Sequence, residues 1–156
     1  MILFWALLIA FATVGLCVIV HYEALRLTSL LIPRLTIPPR PKVLVVIAAV
    51  FLAHLAEIVI FAVTYRLMQP FPQLGEIAGH FSRSAVDYFY FSITSFTTLG
   101  IGDLFPHGAY RIVVGFESLT GFGLIGWSVS FTYLVMQEFW TQDGPRPERK
   151  IGRDER

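Results

Sequence analysis

Thr97-Thr98-Leu99-Gly100-Ile101-Gly102-Asp103 is the stretch on which the reading of this chain turns. Two glycines one residue apart follow a threonine pair and precede an aspartate, and the run lies between apolar segments long enough to cross a bilayer. Glycine reaches left-handed dihedrals at little steric cost, whereas a residue with a Cβ does so only against its own side chain. A loop with glycine at every second position can therefore alternate ordinary and left-handed backbone, which turns successive peptide oxygens to one side. Non-helical backbone at membrane depth is tolerated only where it is buried in protein or lines a water-filled path. Gly100 and Gly102 thus mark a loop suited to presenting carbonyls along an axis.

The flanking sequence supplies that context. Ser84 to Thr97 is apolar and aromatic but too short to span, the right length for a re-entrant helix that stops part-way and hands over to the loop. Val43 to Met68 and Tyr110 to Met136 read as spans on either side, and Gln69 to Ser82, with Pro70, Pro72, Gly75 and Gly79, reads as an exposed loop. Ile2 to Val20 is a further uncharged apolar run, which at ~1.5 Å per residue crosses most of a ~30 Å hydrocarbon core. A cleaved signal peptide competes for that run, but it would need a basic start and a small-residue cleavage site. Here Ile2-Leu3-Phe4-Trp5 follows Met1 directly, so a retained helix over residues 1–20 is expected. Residues 21–42 form a connector whose first part, Tyr22 to Ile32, could lie as an interfacial helix before the Pro-rich run Pro33 to Pro41 stops it. Residues 137–156 form a charged tail with Pro145 and Pro147, expected to be largely disordered.

Composition agrees with a membrane protein. Hydrophobic residues make up 55% of the 156 and the mean hydropathy is +0.65, too apolar for a soluble domain of this length. A net charge of +1 gives no footprint for nucleic acid. The lone Cys17 cannot form an intrachain disulfide and reads as a small buried hydrophobe. No zinc spacing, phosphate-binding glycine loop or nucleophile elbow is present, so an enzyme is not expected. Lys and Arg number four in the connector and five in the tail, against Arg66, Arg83 and Arg111 on the loop side. That bias puts connector and tail in the cytoplasm of a cell membrane, with the loop and the N-terminus outside.

From about Val43 to Met136 the chain resembles the pore domain of potassium channels: outer helix 43–68, pore helix 84–97, filter 98–103, inner helix 110–136. The resemblance implies an all-α integral membrane protein, with three transmembrane helices, a re-entrant pore helix and a selectivity-filter loop, assembled as a tetrameric channel pore. It implies that the carbonyls of Thr98, Leu99, Gly100 and Ile101, the Thr98 hydroxyl and Gly102 build the potassium sites. Asp103, with Tyr90 and Thr94, would brace the filter, and Gly121 or Gly123 would be the flexible point of the inner helix. One chain supplies one filter segment and a carbonyl cage needs four, so a homotetramer in lipid is the expected assembly. Potassium is the expected ion, and neither another metal nor a cofactor is expected.

Three residues depart from the commonest pattern of that family. Ile101 stands where an aromatic is usual and props the filter less. Tyr90 and Phe91 stand where tryptophans are frequent, and of the two only Tyr90 can donate to Asp103. Thr94 stands where some members carry a glutamate. A filter that still prefers potassium but can itself gate or inactivate is expected; the alternatives are a weakly selective cation channel and a non-conducting accessory subunit. A voltage sensor is not expected, since the first span has no arginine series.

His54 and Glu57, three apart on the second span, share a helix face, and Glu117 lies in the outer part of the third. A charge at the bilayer centre costs ~2.5 kcal/mol or more on insertion scales, so such groups face protein or water. A pH-sensing gating cluster and a structural hydrogen-bond network both fit them. Phe105, beyond Asp103, is placed either as an outer ring that binds quaternary ammonium blockers or as loop packing. His80 and His107 read as solvated loop residues. Gly123, Gly126, Ser130 and Leu134 fall near one face of the last span, either lining a cavity or packing closely against a neighbour, and Leu134 could close such a cavity by dewetting. Trp5, Tyr22, Tyr110 and Trp140 fall near span ends, as belt residues do.

Overall fold

The computed structural model describes residues 1–142, with the backbone alone at 39, 40 and 139–142. Four helices carry the architecture: α1 (Ile2–Leu31), α2 (Pro39–Met68), α3 (Ala85–Phe96) and α4 (Tyr110–Gln142). Two three-residue strands, β1 (Ile77–Gly79) and β2 (Leu104–Pro106), pair antiparallel with Ala78 opposite Phe105. Short 3₁₀ turns at Ile32–Arg34 and Pro72–Leu74 close the ends of α1 and the loop after α2.

Ile2–Arg34, Pro41–Met68 and Tyr110–Glu138 are long and apolar enough to cross a membrane, and the protein is an integral membrane protein. Large apolar residues are exposed along the spans, among them Leu3, Phe4, Phe11 and Ile19 on α1 and Phe51 and Leu52 on α2. The buried stripe of α1 is the reverse, made of Ala6, Ala10, Thr13, Cys17, His21, Leu25 and Thr28 at spacings of three and four. In lipid the apolar exterior provides no drive for helices to associate, so small residues and interhelical hydrogen bonds take that place. Thr13 meets Thr64 at 3.3 Å, and the Cys17 thiol lies 4.0 Å from the Glu57 carbonyl.

The ends of the bundle are well defined. Met1, Ile2 and Trp5 share a hollow with Phe71 and Leu74, so the N-terminus lies at the end that carries the loop after α2. At the other end Ile32 and Val46 pack with Val43, Val50, Phe131 and Val135. The helix α1 therefore runs antiparallel to α2 and packs against both α2 and α4.

Several boundaries differ from the sequence reading. The first helix does not stop at Val20 but continues through the segment expected as a connector, to Leu31. Nothing between Val20 and Pro33 breaks a helix, and the Glu23–Arg26 pair at 3.0 Å supports the exposed face there. The second helix starts at Pro39, inside the run expected to be free of helix. Proline in a first turn lacks only an N–H that would have no partner, so Pro39 and Pro41 are tolerated where they stand. The last helix extends past Met136 to Gln142, because no breaker precedes Gly144 and Pro145. The rest of the expected tail, 143–156, lies outside the described residues. The loop 69–82 carries β1, too short to show an alternating pattern in sequence.

Candidate functional site

The loop that follows α3 is built from both of that helix's ends. At the N-terminus Ser84 caps it: its hydroxyl accepts from the Asp87 N–H at 3.1 Å, and the Asp87 carboxylate accepts from the Ser84 N–H at 3.3 Å. Ser82 adds its N–H at 2.7 Å and its hydroxyl at 2.5 Å, and that hydroxyl above all holds the Asp87 carboxyl below its ordinary value. Such reciprocal capping satisfies first-turn donors that have no partner inside the helix. Tyr88 ties the same helix to the loop after α2 by donating to Gln69 at 2.5 Å.

At the C-terminus the chain leaves the helix at Thr97 and is held by main-chain bonds. The Thr98 N–H donates to the Ser95 carbonyl at 3.0 Å and the Gly100 N–H to the Thr94 carbonyl at 3.0 Å. From there φ is positive at every second residue: Thr98 at 58°, Gly100 at 52°, Gly102 at 89°. The glycines accept this freely. Thr98 does not, because a β-branched residue in the left-handed region is strained by ~1–3 kcal/mol and is found where function requires it. The sequence pointed to the glycines and missed the third position of the alternation. Residues 97–103 are all exposed on the single chain, Leu99 at 66% and Ile101 at 58%.

Of the residues expected to brace the loop, Tyr90 reaches Asp103 and the Thr94 hydroxyl does not. The Tyr90 hydroxyl donates to both Asp103 oxygens, at 3.0 and 3.1 Å. The Thr94 hydroxyl turns back on its own helix, to Tyr90 and Phe91 carbonyls, so its contact with the loop is through its backbone. Behind the loop lies a hollow of about 310 Å³ lined by Phe91, Thr94, Ile101, Val114 and Ser118. Below it Thr98, Phe96, Gly123 and Gly126 line another of about 470 Å³. Gly123, Gly126, Ser130 and Leu134 are exposed on one chain, with the Ser130 hydroxyl on the Gly126 carbonyl at 3.1 Å. Gly121 is buried instead: a Cβ there would meet the Phe96 carbonyl oxygen at 2.0 Å, so glycine is what lets α4 approach the end of α3. Ser118 reinforces that approach by donating to the Ser95 carbonyl at 2.9 Å. Phe105 lies on β2, half exposed, with its ring against His107, 5.3 Å away.

The intramembrane polar groups form two assemblies. Glu117 is buried between α2 and α3, taking the Tyr65 hydroxyl on one oxygen and lying 2.5 Å from the Ser92 hydroxyl on the other. Ser92 also lies 2.8 Å from the Ile58 carbonyl. A hydroxyl has one proton. If Ser92 donates to Ile58, the second contact needs a proton from Glu117, so a neutral Glu117 acid satisfies every partner. His54 and Glu57 meet at 2.9 Å, but their companion is His21, not Glu117: His21 Nδ1 lies 2.8 Å from the other Glu57 oxygen. Ser128 joins them from α4, within 3.3 Å of His21 Nε2 and 3.1 Å of His54 Nε2. His21 read as a residue at the exit of a shorter span; its place in the small-residue stripe, four after Cys17, was the signal that could have found it. His21, His54 and Glu57 also bring donor atoms within 4.8 Å of one another, a set a transition metal would accept.

Comparison with known proteins bears on most of these regions. No curated protein and no solved structure matches the chain. Residues 44–138, which hold α2, α3, the alternating loop and most of α4, match the model of the family described as ion channel, and the chain belongs to that family of potassium-channel-type pore domains, with an additional apolar helix at its N-terminus.

Proposed function

We propose that this protein is a homotetrameric channel that conducts potassium passively through a filter of backbone carbonyls. The observation that carries the reading is the alternation of φ at Thr98, Gly100 and Gly102 on a loop that one chain leaves wholly exposed. Alternating handedness suits successive oxygens facing one axis, and four such loops around it would replace the hydration shell of an ion. The Thr98 to Ile101 carbonyls and the Thr98 hydroxyl are the ion-binding groups, Gly102 allows the loop to turn out, and Asp103 with Tyr90 holds its outer end. In this reading α3 is the re-entrant pore helix, and Gly123, Gly126, Ser130 and Leu134 line the cavity below. The loop and N-terminus face outward and α4 ends in the cytoplasm, as the Lys and Arg bias suggests. Passive flow asks for no acid, base or nucleophile, and none is assigned.

A weakly selective cation channel is the second reading, favoured by the hollow behind Ile101 and by support of Asp103 through Tyr90. Planar-bilayer recording of purified protein under opposed potassium and sodium gradients separates the two. A reversal potential close to that of potassium supports the first; a permeability ratio near unity replaces it with the second. Liposomes that hold folded tetramer and pass neither ion would remove both.

A further inference from the structure

The contacts of His21, His54, Glu57 and Ser128 close on themselves. Going round, Glu57 Oε1 meets His21 Nδ1 at 2.8 Å, His21 Nε2 meets Ser128 Oγ at 3.3 Å, Ser128 Oγ meets His54 Nε2 at 3.1 Å, and His54 Nδ1 meets Glu57 Oε2 at 2.9 Å. Each contact needs one proton between its atoms, so four contacts need four protons. With Glu57 ionised, both Nδ1 atoms must carry a proton to donate to it. The Ser128 hydroxyl supplies a third, to one Nε2. The fourth must sit on the other Nε2, which makes that imidazole an imidazolium. The ring is then saturated and its net charge is zero.

Other proton counts fit worse. With three protons one Nε2 lone pair faces the Ser128 oxygen lone pair, and a negative charge stays buried in the bilayer. With five protons both Nε2–H groups point at Ser128 and the ring is positive. At membrane depth a net charge is the costlier state. Glu57 and His21 are fully buried, and the His54 side chain is 15% exposed. Aromatic rings flank both imidazoles, Trp127 at 5.3 Å from His21 and Phe96 at 5.9 Å from His54, within the range where a ring face favours a cation. Facing the ring are Cys17 from α1, through its contact with the Glu57 backbone, and Phe96 from α3; Glu117 on α4 is engaged by Tyr65 and Ser92 instead.

We propose that His21, His54, Glu57 and Ser128 form a proton-binding site shared by α1, α2 and α4, and that release of its fourth proton to water removes one of the two contacts that fasten α4 to α1 and α2 and changes channel opening. Ser128 is the ring's member on the inner helix, and with three protons it is held by one imidazole rather than two. The gating half rests on the channel reading above; the site itself does not.

Two measurements test it on the full-length protein. The first is NMR of histidine labelled at its ring nitrogens, titrated from about pH 5 to 9, the span in which imidazoles exchange charge. The exposed His80 and His107 serve as internal references. The expected result is that both Nδ1 atoms of His21 and His54 stay protonated while the two Nε2 atoms lose a single shared proton in one step. Ser128→Ala splits that step and Ser128→Thr keeps it. His21 and His54 titrating independently of each other overturns the site. So does displacement of the Nδ1 protons by added Zn²⁺, which would make it a metal centre. The second measurement is potassium flux from liposomes over the same range. One proton per chain limits the change to about tenfold per pH unit per chain. A pH step in flux that coincides with the NMR step and disappears in Ser128→Ala is expected. Flux indifferent to pH beside a normal NMR step overturns the gating half. Absence of flux at every pH with the NMR step intact counts against the channel reading and leaves the proton site standing.

Discussion

The loop 97–103 and the ring of His21, His54, Glu57 and Ser128 are opposite solutions to placing polar atoms within a membrane. The ring is closed within one chain: each of its polar side-chain atoms has a partner, and no second copy is needed. The loop is open: its residues are exposed, three of them hold positive φ, and none of the described residues covers it. A single chain thus completes its buried polar core and leaves its alternating loop exposed. In the proposed channel, the scaffold would be stabilised within each chain and the conducting path would be formed only on assembly.

The largest effect expected from breaking that contrast is at Gly102. A Cβ at φ 89° adds strain in each copy of the loop, so Gly102→Ala should abolish potassium flux while the thermal unfolding of the purified protein stays near the parent value. Unfolding together with loss of flux would mean that loop and scaffold are not separable. Next comes Gly121, where both regions meet. The 2.0 Å approach to the Phe96 carbonyl leaves no room for a methyl group, and Gly121→Ala should cost ~1–3 kcal/mol, as overpacking does, and reduce flux as well. Denaturation in mixed micelles reads the first and liposome flux the second; a variant as stable as the parent would place the α3–α4 contact elsewhere.

Glu117 sharpens the comparison within the polar core. If it is a neutral acid, Glu117→Gln keeps the shape and one donor and should be nearly neutral in stability. Glu117→Leu strands Tyr65 and Ser92, for ~1–3 kcal/mol. Equal losses in the two variants would indicate an ionised carboxylate. Tyr90→Phe removes a hydroxyl that donates to Asp103, worth about 1 kcal/mol, and should shorten open times in single-channel records without altering the fold. The smallest effect is at the start of α3. Asp87 is held below its ordinary value chiefly by Ser82, so its contribution is present above the unfolded value of ~3.9 and is lost as pH falls through the lower folded value. Amide exchange of α3 should therefore quicken at acid pH in the parent and show no acid step in Asp87→Asn.

Legibility in the sequence followed range. The spans were readable because hydropathy sums over many neighbours, yet the ends of α1 and α2 were not. His21-Tyr22-Glu23 looked like an exit, although a helix carries such residues easily, and Pro39 and Pro41 looked like breakers, although in a first turn they break nothing. The pairing of His54 with Glu57 was readable from a spacing of three on one helix. Their link to His21 and Ser128, and the separation of Glu117 from them, required knowing which helix faces meet. The alternating backbone of the loop was readable at Gly100 and Gly102, but the left-handed Thr98 was not, because only its surroundings hold it there.

The amino-acid sequence by itself determined the membrane-spanning class, the position of the glycine-marked loop and the residues able to brace it, since each depends on local hydropathy or on the dihedral freedom of individual residues. Tertiary structure alone decided that α1 brings His21 to Glu57, that Glu117 belongs with Tyr65 and Ser92, and that Gly121 is a contact with the end of α3. The reason is physical: a buried polar group requires a partner but does not specify which one, and the choice is made only when helices far apart in the chain come within hydrogen-bonding distance.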